Sequence, residues 1–489
     1  MLINKLADLG VDVVARTVDK KPNKLDQQTL IKQFAMDAIG ASEEVGRGAN
    51  NIVYAVPDTT DQVLRVDFIL PFSTRRRLSF LSEIYFQKTL SNMFPSNVPS
   101  VAKLYYTTYV FEDDECHVWG VLMSRFTPFF PFEDKSRTMD SIYRHPSDGD
   151  CTPLNTLVHR AVVHSLRLIR ELGAKRLFHA DANEENIRLA TTGMQLIDFG
   201  ESRFVPCANN ETKEQRLTDV VIDNMAVDVT DSYQTSPPEH LLPLMDPFVA
   251  EFLNDESILA LTSASDFAKT DLFHKDGKPK AIWDALSRLN EIASMTKSVL
   301  HAIHTDPNLT DVRTDFSQLC YDKLRNENPF PIASVVGVYN DLVRNSPPSD
   351  TMCDNAIKIA NRVRNTVRAL HASVAQHYHT YSTQAVIIYH YACALTRQLV
   401  RGAAAHAMGG QYKTDVGWVV DNNNKANTIE KRSINTFEAH EPLMLLRDHI
   451  ISDSSSPRNS AAWRALVLCL HPDPTMRTLA NIDCELAKL

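Results

Sequence analysis

The chain has 489 residues, 44% of them hydrophobic and 23% charged, which allows two or three domains with a large core, and its net charge of -9 argues against a dedicated nucleic-acid binder. Eight scattered cysteines without a C-x-x-C pair indicate neither a zinc site nor a disulfide framework, so a reducing compartment, cytoplasmic or nuclear, is expected. The leading residues lack the apolar core and cleavage site of a signal peptide, and no apolar run reaches membrane-spanning length.

Residues 1 to about 38 read as one or two helices with Leu30, Ile31, Phe34 and Ala35 on one face, in a packing or regulatory role. Gly46 and Gly48 then form a glycine pair before the β-prone Ile52-Val53-Tyr54; alone, such a pair signals only a hairpin. Residues 62–66 alternate like a half-buried strand with one cation, Arg65, in the middle. An amphipathic helix over 80–87 carries Glu83. Two strands flank an acidic, solvated turn at 112–115, the second running over 118–123 to Met123. Residues 130–152, rich in Pro, Asp and Ser, read as a loop, and 154–172 as a core helix with Leu157, Ala161, Val162, Leu166 and Ile169 at helical spacing.

The next stretch, 179–200, reads HADANEENIRLATTGMQLIDFG and narrows the function furthest. Phosphoryl transfer needs little covalent help from protein; it needs positioning and neutralisation of spread negative charge. Asp181 is the carboxylate to face an incoming hydroxyl. An amide oxygen from Asn186 and a carboxylate from Asp198 suit a hard divalent ion that bridges phosphates. Short strands over 187–189 and 194–197, joined by the turn 190–193, return Asp198 towards Asn186.

Downstream, Ser232 leads into Pro237-Pro238-Glu239. Residues 282–303 and 355–374 have helical apolar spacing, 385–395 read as a buried helix, and 468–477 close with His471-Pro472-Asp473-Pro474-Thr475-Met476-Arg477.

Taken together these motifs resemble the protein kinase superfamily, the eukaryotic-like serine/threonine kinases in particular. Residues 179–200 are similar to the catalytic loop and DFG element, 45–54 to the glycine-rich loop, 232–239 to the end of the activation segment with its A-P-E element, and 468–477 to the closing C-x-x-x-D-P-x-x-R element. The resemblance implies an α+β, bilobal fold with a β-rich N-lobe and a large helical C-lobe. It divides the chain into an N-terminal helical extension (1–40), the N-lobe (41–125), the first part of the C-lobe (126–245), a helical insert (246–375) and the C-lobe remainder (376–489). It implies ATP and Mg2+ or Mn2+ as cofactors and protein serine or threonine hydroxyls as acceptors. Gly46, Arg47, Gly48, Val53, Arg65 and Met123 would bind nucleotide, with Arg65 anchored by Glu83 and with Asn183 beside Asp181. Glu239 would pair with Arg477. No membrane or direct nucleic-acid partner is implied, and the insert is a candidate surface for a protein partner.

The chain departs from the family pattern at several positions. Asn51 stands for the third glycine, Arg65 for the strand lysine, Ala180 for the catalytic-loop arginine and Asn183 for the catalytic-loop lysine. Losing that arginine implies activity independent of activation-segment phosphorylation. Leu177 to Asp181 with Asn186-Ile187 also resemble the conserved herpesvirus kinases, which would place the protein in a host cell. Two other readings stand beside the kinase: a pseudokinase scaffold recruiting partners through 246–375, supported by Arg65, Asn183 and His379, and a small-molecule kinase.

Overall fold

The computed structural model describes residues 2–19, 27–47, 51–69, 74–111, 114–125, 154–179, 181–182, 186–190, 192–200, 202–204, 237, 299, 301–312, 382–407, 447, 450–451 and 457–489. The chain forms two compact units, the first comprising Met1–Phe129, His179–Asp181 and Glu185–Arg203, the second the remainder. Sheet and helices together make the fold α+β.

In the first unit, α1 (Leu2–Asp8), β1 (Asp12–Asp19) and α2 (Gln27–Ile39) precede β2 (Glu44–Arg47), β3 (Asn51–Ala55) and β4 (Gln62–Ile69). Then follow α3 (Thr74–Met93), β5 (Val101–Phe111), β6 (Asp114–Ser124), and the hairpin strands β7 (Ile187–Ala190) and β8 (Gly193–Leu196). Six strands pair in the order β1-β5-β6-β4-β3-β2, with β1 parallel to β5 and the other neighbours antiparallel. The expected helical extension over 1–40 is therefore corrected: residues 12–19 are a strand of the main sheet. Their β-branched content, Val13, Val14, Thr17 and Val18, suits an extended backbone, and parallel pairing with β5 supplies the hydrogen bonds.

Side chains alternate across the sheet, so each strand feeds two cores. On one face, α2 buries Leu30, Ile31, Phe34 and Ala35 against Ile52, Tyr54, Leu64, Val66 and Val118. On the other, Phe80, Leu81 and Ile84 of α3 join Leu6, Val101, Leu104, Trp119 and Val121. The strand expected at 62–66 continues to Ile69, and the helix expected at 80–87 extends over Thr74–Met93. A Cβ added at Gly120 would stand 2.5 Å from Phe34 Cε1 and 2.9 Å from Cζ, so α2 can lie this close only over a residue without a side chain.

The described parts of the second unit are mostly helical. Helix α4 (Leu154–Lys175) buries Val158, Ala161, Val162, Leu166, Ile169 and Leu172. It packs on α5 (Thr383–Ala407), where a Cβ at Gly173 would come within 2.9 Å of Ile388 Cγ1. Helices α6 (Pro457–Cys469) and α7 (Leu479–Leu486) complete this core, with Arg170 held to Asp483 by bonds of 2.8 and 3.0 Å. Arg477 is buried, donates from Nη1 to Ala385 O at 3.2 Å, and lies 5.0 Å from the Tyr389 ring. Glu239, its expected partner, lies outside the described residues, as do Ser232, His379 and most of 246–375. Within that segment the 3-10 helix Pro307–Val312 follows Asp306, whose fully buried carboxylate accepts from Trp463 Nε1 at 3.1 Å. Among the described residues no helix is long and apolar enough to cross a membrane.

Gly120→Ala is expected to lower the unfolding free energy by about 1–3 kcal/mol through overpacking against Phe34. The check is the denaturant midpoint, which the double variant Gly120→Ala, Phe34→Leu should partly restore. An unchanged midpoint in the single variant would mean that Phe34 yields freely.

Candidate active site

Four of the residues expected to bind nucleotide, Gly46, Val53, Arg65 and Met123, share one face of the sheet. Gly46 stands opposite Val53, Val53 opposite Arg65, and Arg65 opposite Val121, while Val63 beside them pairs with Met123. Directly opposed residues point the same way, so Gly46, Val53, Arg65 and Met123 face the side that carries α3. Gln87 of α3 steadies Met123, its Nε2 lying 3.5 Å from Sδ and 3.1 Å from Pro99 O. Arg47 is engaged elsewhere: its guanidinium grips Glu44 at 2.8 and 2.7 Å on the exposed end of β2, which keeps the Glu44 carboxyl below its ordinary range. Gly48 and Asn183 lie outside the described residues.

Arg65 is where the site departs most from the sequence reading. Its Nη1 donates to Glu83 Oε1 and its Nη2 to Glu83 Oε2 at 3.2 Å, the pairing that the resemblance implies. A second carboxylate, which belongs to no motif, also meets it: Arg65 Nε donates to Asp67 Oδ2 at 3.0 Å and Nη2 to Asp67 Oδ1 at 3.2 Å. Asp67 could have been found from the period of two, since a residue two beyond a buried cation on one strand shares its face. All three side chains are nearly buried. Burial pushes the Glu83 and Asp67 carboxyls up; Arg65 opposes this and nearby Asp198 reinforces it. Burial alone would lower Arg65, but Glu83 and Asp67 hold it well above its ordinary value.

The hairpin forms where the sequence reading places it. Strands β7 and β8 pair Ile187 with Leu196 and Ala190 with Gly193, and Ile197 N donates to Asn186 O at 2.9 Å. Gly193 has φ 100°, a left-handed turn that suits a residue without Cβ. The hairpin is tied to the chain after α3: Asn97 Nδ2 donates to Met194 O and Leu196 N donates to Asn97 O, both at 2.8 Å. At its open end, Asn186 Nδ2 donates to Asp181 Oδ2 at 2.6 Å and to Asp181 O at 3.1 Å. That fixes the amide plane of Asn186.

Asp198 leaves β8 with φ 60°, a backbone state that non-glycine residues avoid and that recurs at functional sites. Its side chain is exposed, whereas Phe199 is buried between Phe86 of α3 and His179, with ring centroids 6.2 and 5.3 Å apart. A Cβ placed at Gly200 would lie 3.6 Å from Asp198 Oδ1 and 3.8 Å from Glu83 Oε2, so Gly200 sits against both carboxylates. His179 is fully buried and bonds Ile197 O through Nε2 at 3.0 Å. Burial depresses its pKa to about 4, so the ring is neutral at physiological pH and Nε2 carries the donated proton.

Among the described residues no group of three or more His, Cys, Asp or Glu gathers as a metal site. The side-chain oxygens of Asn186 and Asp198 are hard donors of the chemical type magnesium takes, commonly one or two from protein with phosphates and water completing the shell.

No protein-family model matches the chain, and no curated protein matches it. Among solved structures it is similar to titin kinase with its flanking domains, at 13% identity and a TM-score of 0.24, over 42% of this chain and 33% of that one. At that score the likeness decides nothing about this chain, which matches only about a third of that protein's length.

His179 makes stability pH-dependent. Its folded pKa of about 4 lies below the unfolded value of 6.5, so its contribution is complete above pH 6.5 and is lost as pH falls towards 4. The loss is on the order of 3 kcal/mol at 1.36 kcal/mol per unit. Urea midpoints measured across that window are expected to fall with pH, and His179→Gln to flatten the dependence by about one proton. An identical slope in the variant would rule out the buried neutral ring as its source.

Proposed function

We propose that the chain is a protein kinase that moves the γ-phosphoryl group of ATP to serine or threonine hydroxyls with magnesium or manganese. The observation that carries this reading is the 2.6 Å bond between Asp181 and Asn186 at the open end of the hairpin that also delivers Asp198. In this reading Asn186 and Asp198 hold the metal ion, which neutralises charge on the phosphates when bound. Asp181 orients the acceptor hydroxyl and takes its proton as the oxygen bonds to the γ-phosphorus and the bond to the bridging oxygen breaks, releasing ADP. Gly46 and Gly48 cradle phosphates, Val53 and Met123 line the nucleotide, and Arg65 meets phosphate while Glu83 holds it. Protein substrates in a reducing compartment belong to the same reading, and 246–375 is its surface for a protein partner.

A specific observation favours a second reading, the pseudokinase scaffold. Four of the five guanidinium N–H groups of Arg65 already point at carboxylates, which leaves little for phosphate. An autophosphorylation and generic-substrate assay with labelled ATP separates the two. Wild-type transfer with loss of about 10²- to 10⁴-fold in Asp181→Asn, and ATP affinity changed by no more than about twofold, supports the kinase. Nucleotide binding without transfer in the wild type favours the scaffold, and equal labelling by both forms rejects the role of Asp181.

A further inference from the structure

We propose that Asp67 is a built-in competitor for Arg65, occupying the edge of the guanidinium that a nucleotide phosphate must take, and so sets the affinity of this site for polyphosphate. The inference rests on the nucleotide reading above and adds a residue that the motif does not contain.

A guanidinium recognises a phosphate or carboxylate best through two parallel N–H groups, and it has two such edges. In this site both are taken. Glu83 receives Nη1 and Nη2, and Asp67 receives Nε and Nη2. A single N–H of Nη1 remains beyond these bonds, enough for one hydrogen bond to phosphate but not for a fork. Bidentate capture of phosphate therefore requires one carboxylate to let go.

Asp67 is the one positioned to do so. Glu83 is set by α3, whose Leu81 and Ile84 are locked in the core. Asp67 lies on the same strand as Arg65, and its loss of the cation would disturb no packed helix. Charge points the same way. With all groups ionised, one cation, Arg65, faces three carboxylates, Asp67, Glu83 and Asp198, which leaves two negative charges uncompensated where a polyanion must approach. A strand lysine with one acidic partner would face no such competition.

The test is calorimetric binding of MgATP and of adenosine to the full chain, wild type and Asp67→Asn. The expected result is tightening of MgATP by about tenfold in the variant with adenosine unchanged, because only the phosphates compete for Arg65. A merely structural role would move both ligands together or neither. Equal MgATP affinity in the two forms, or weakening of both ligands in the variant, overturns the proposal while leaving nucleotide binding intact. No binding of MgATP to either form instead removes the nucleotide reading on which the proposal stands. If Asp67→Asn does not fold, Asp67→Thr, which keeps a strand-forming side chain, is read the same way; failure of both to fold would make Asp67 a structural requirement and overturn the proposal.

Discussion

A guanidinium taken out of water must be surrounded by counter-charge, and this constraint organises the first unit. Arg65 projects from the middle of β4 into a nearly dry space, where Glu83 from α3 and Asp67 from its own strand meet it. Removing one partner of such a buried pair typically costs about 3–5 kcal/mol, because the charge left behind is stranded. The cluster therefore fixes the helix against the sheet at one point and in one rotation. Gln87, one turn further along the helix, then reaches Pro99 and Met123, and Phe86 meets Phe199.

The hairpin solves a different problem, the placing of the polar groups that flank Asp198. Its backbone closes on itself from Asn186–Ile197 to Ala190–Gly193, and Asn97 joins it to the chain after α3. His179 then satisfies the carbonyl of Ile197, the residue before Asp198. A neutral imidazole does this without adding a cation beside the carboxylates. The left-handed backbone at Asp198 is held by these neighbours on either side: an anchored carbonyl before it and the buried ring of Phe199 after it.

How much of this could be read in advance depended on how local the cause was. The face Leu30, Ile31, Phe34, Ala35 and the hairpin around Gly193 follow from spacing within a few residues, and both were legible. Strand β1 was not, because its partner β5 is distant in sequence and pairs in parallel, so no turn announces it. The Arg65–Glu83 pair was accessible through resemblance to a motif, whereas Asp67 belongs to no motif and was overlooked although strand alternation puts it beside Arg65. Arg47 illustrates the reverse: its place in the glycine-rich segment suggested phosphate, but Glu44, three residues earlier, is a nearer counter-charge.

Gly120 carries a consequence for how the chain can be shortened. Its missing side chain lets the Phe34 ring sink into the sheet, so the leading segment is a plug for an oily plane made of Ile52, Tyr54, Leu64, Val66 and Val118. A shorter protein that began after residue 40 would keep every motif of the candidate centre, yet it would lose an edge strand and leave that plane wet. Self-association is the fault such a truncation would bring.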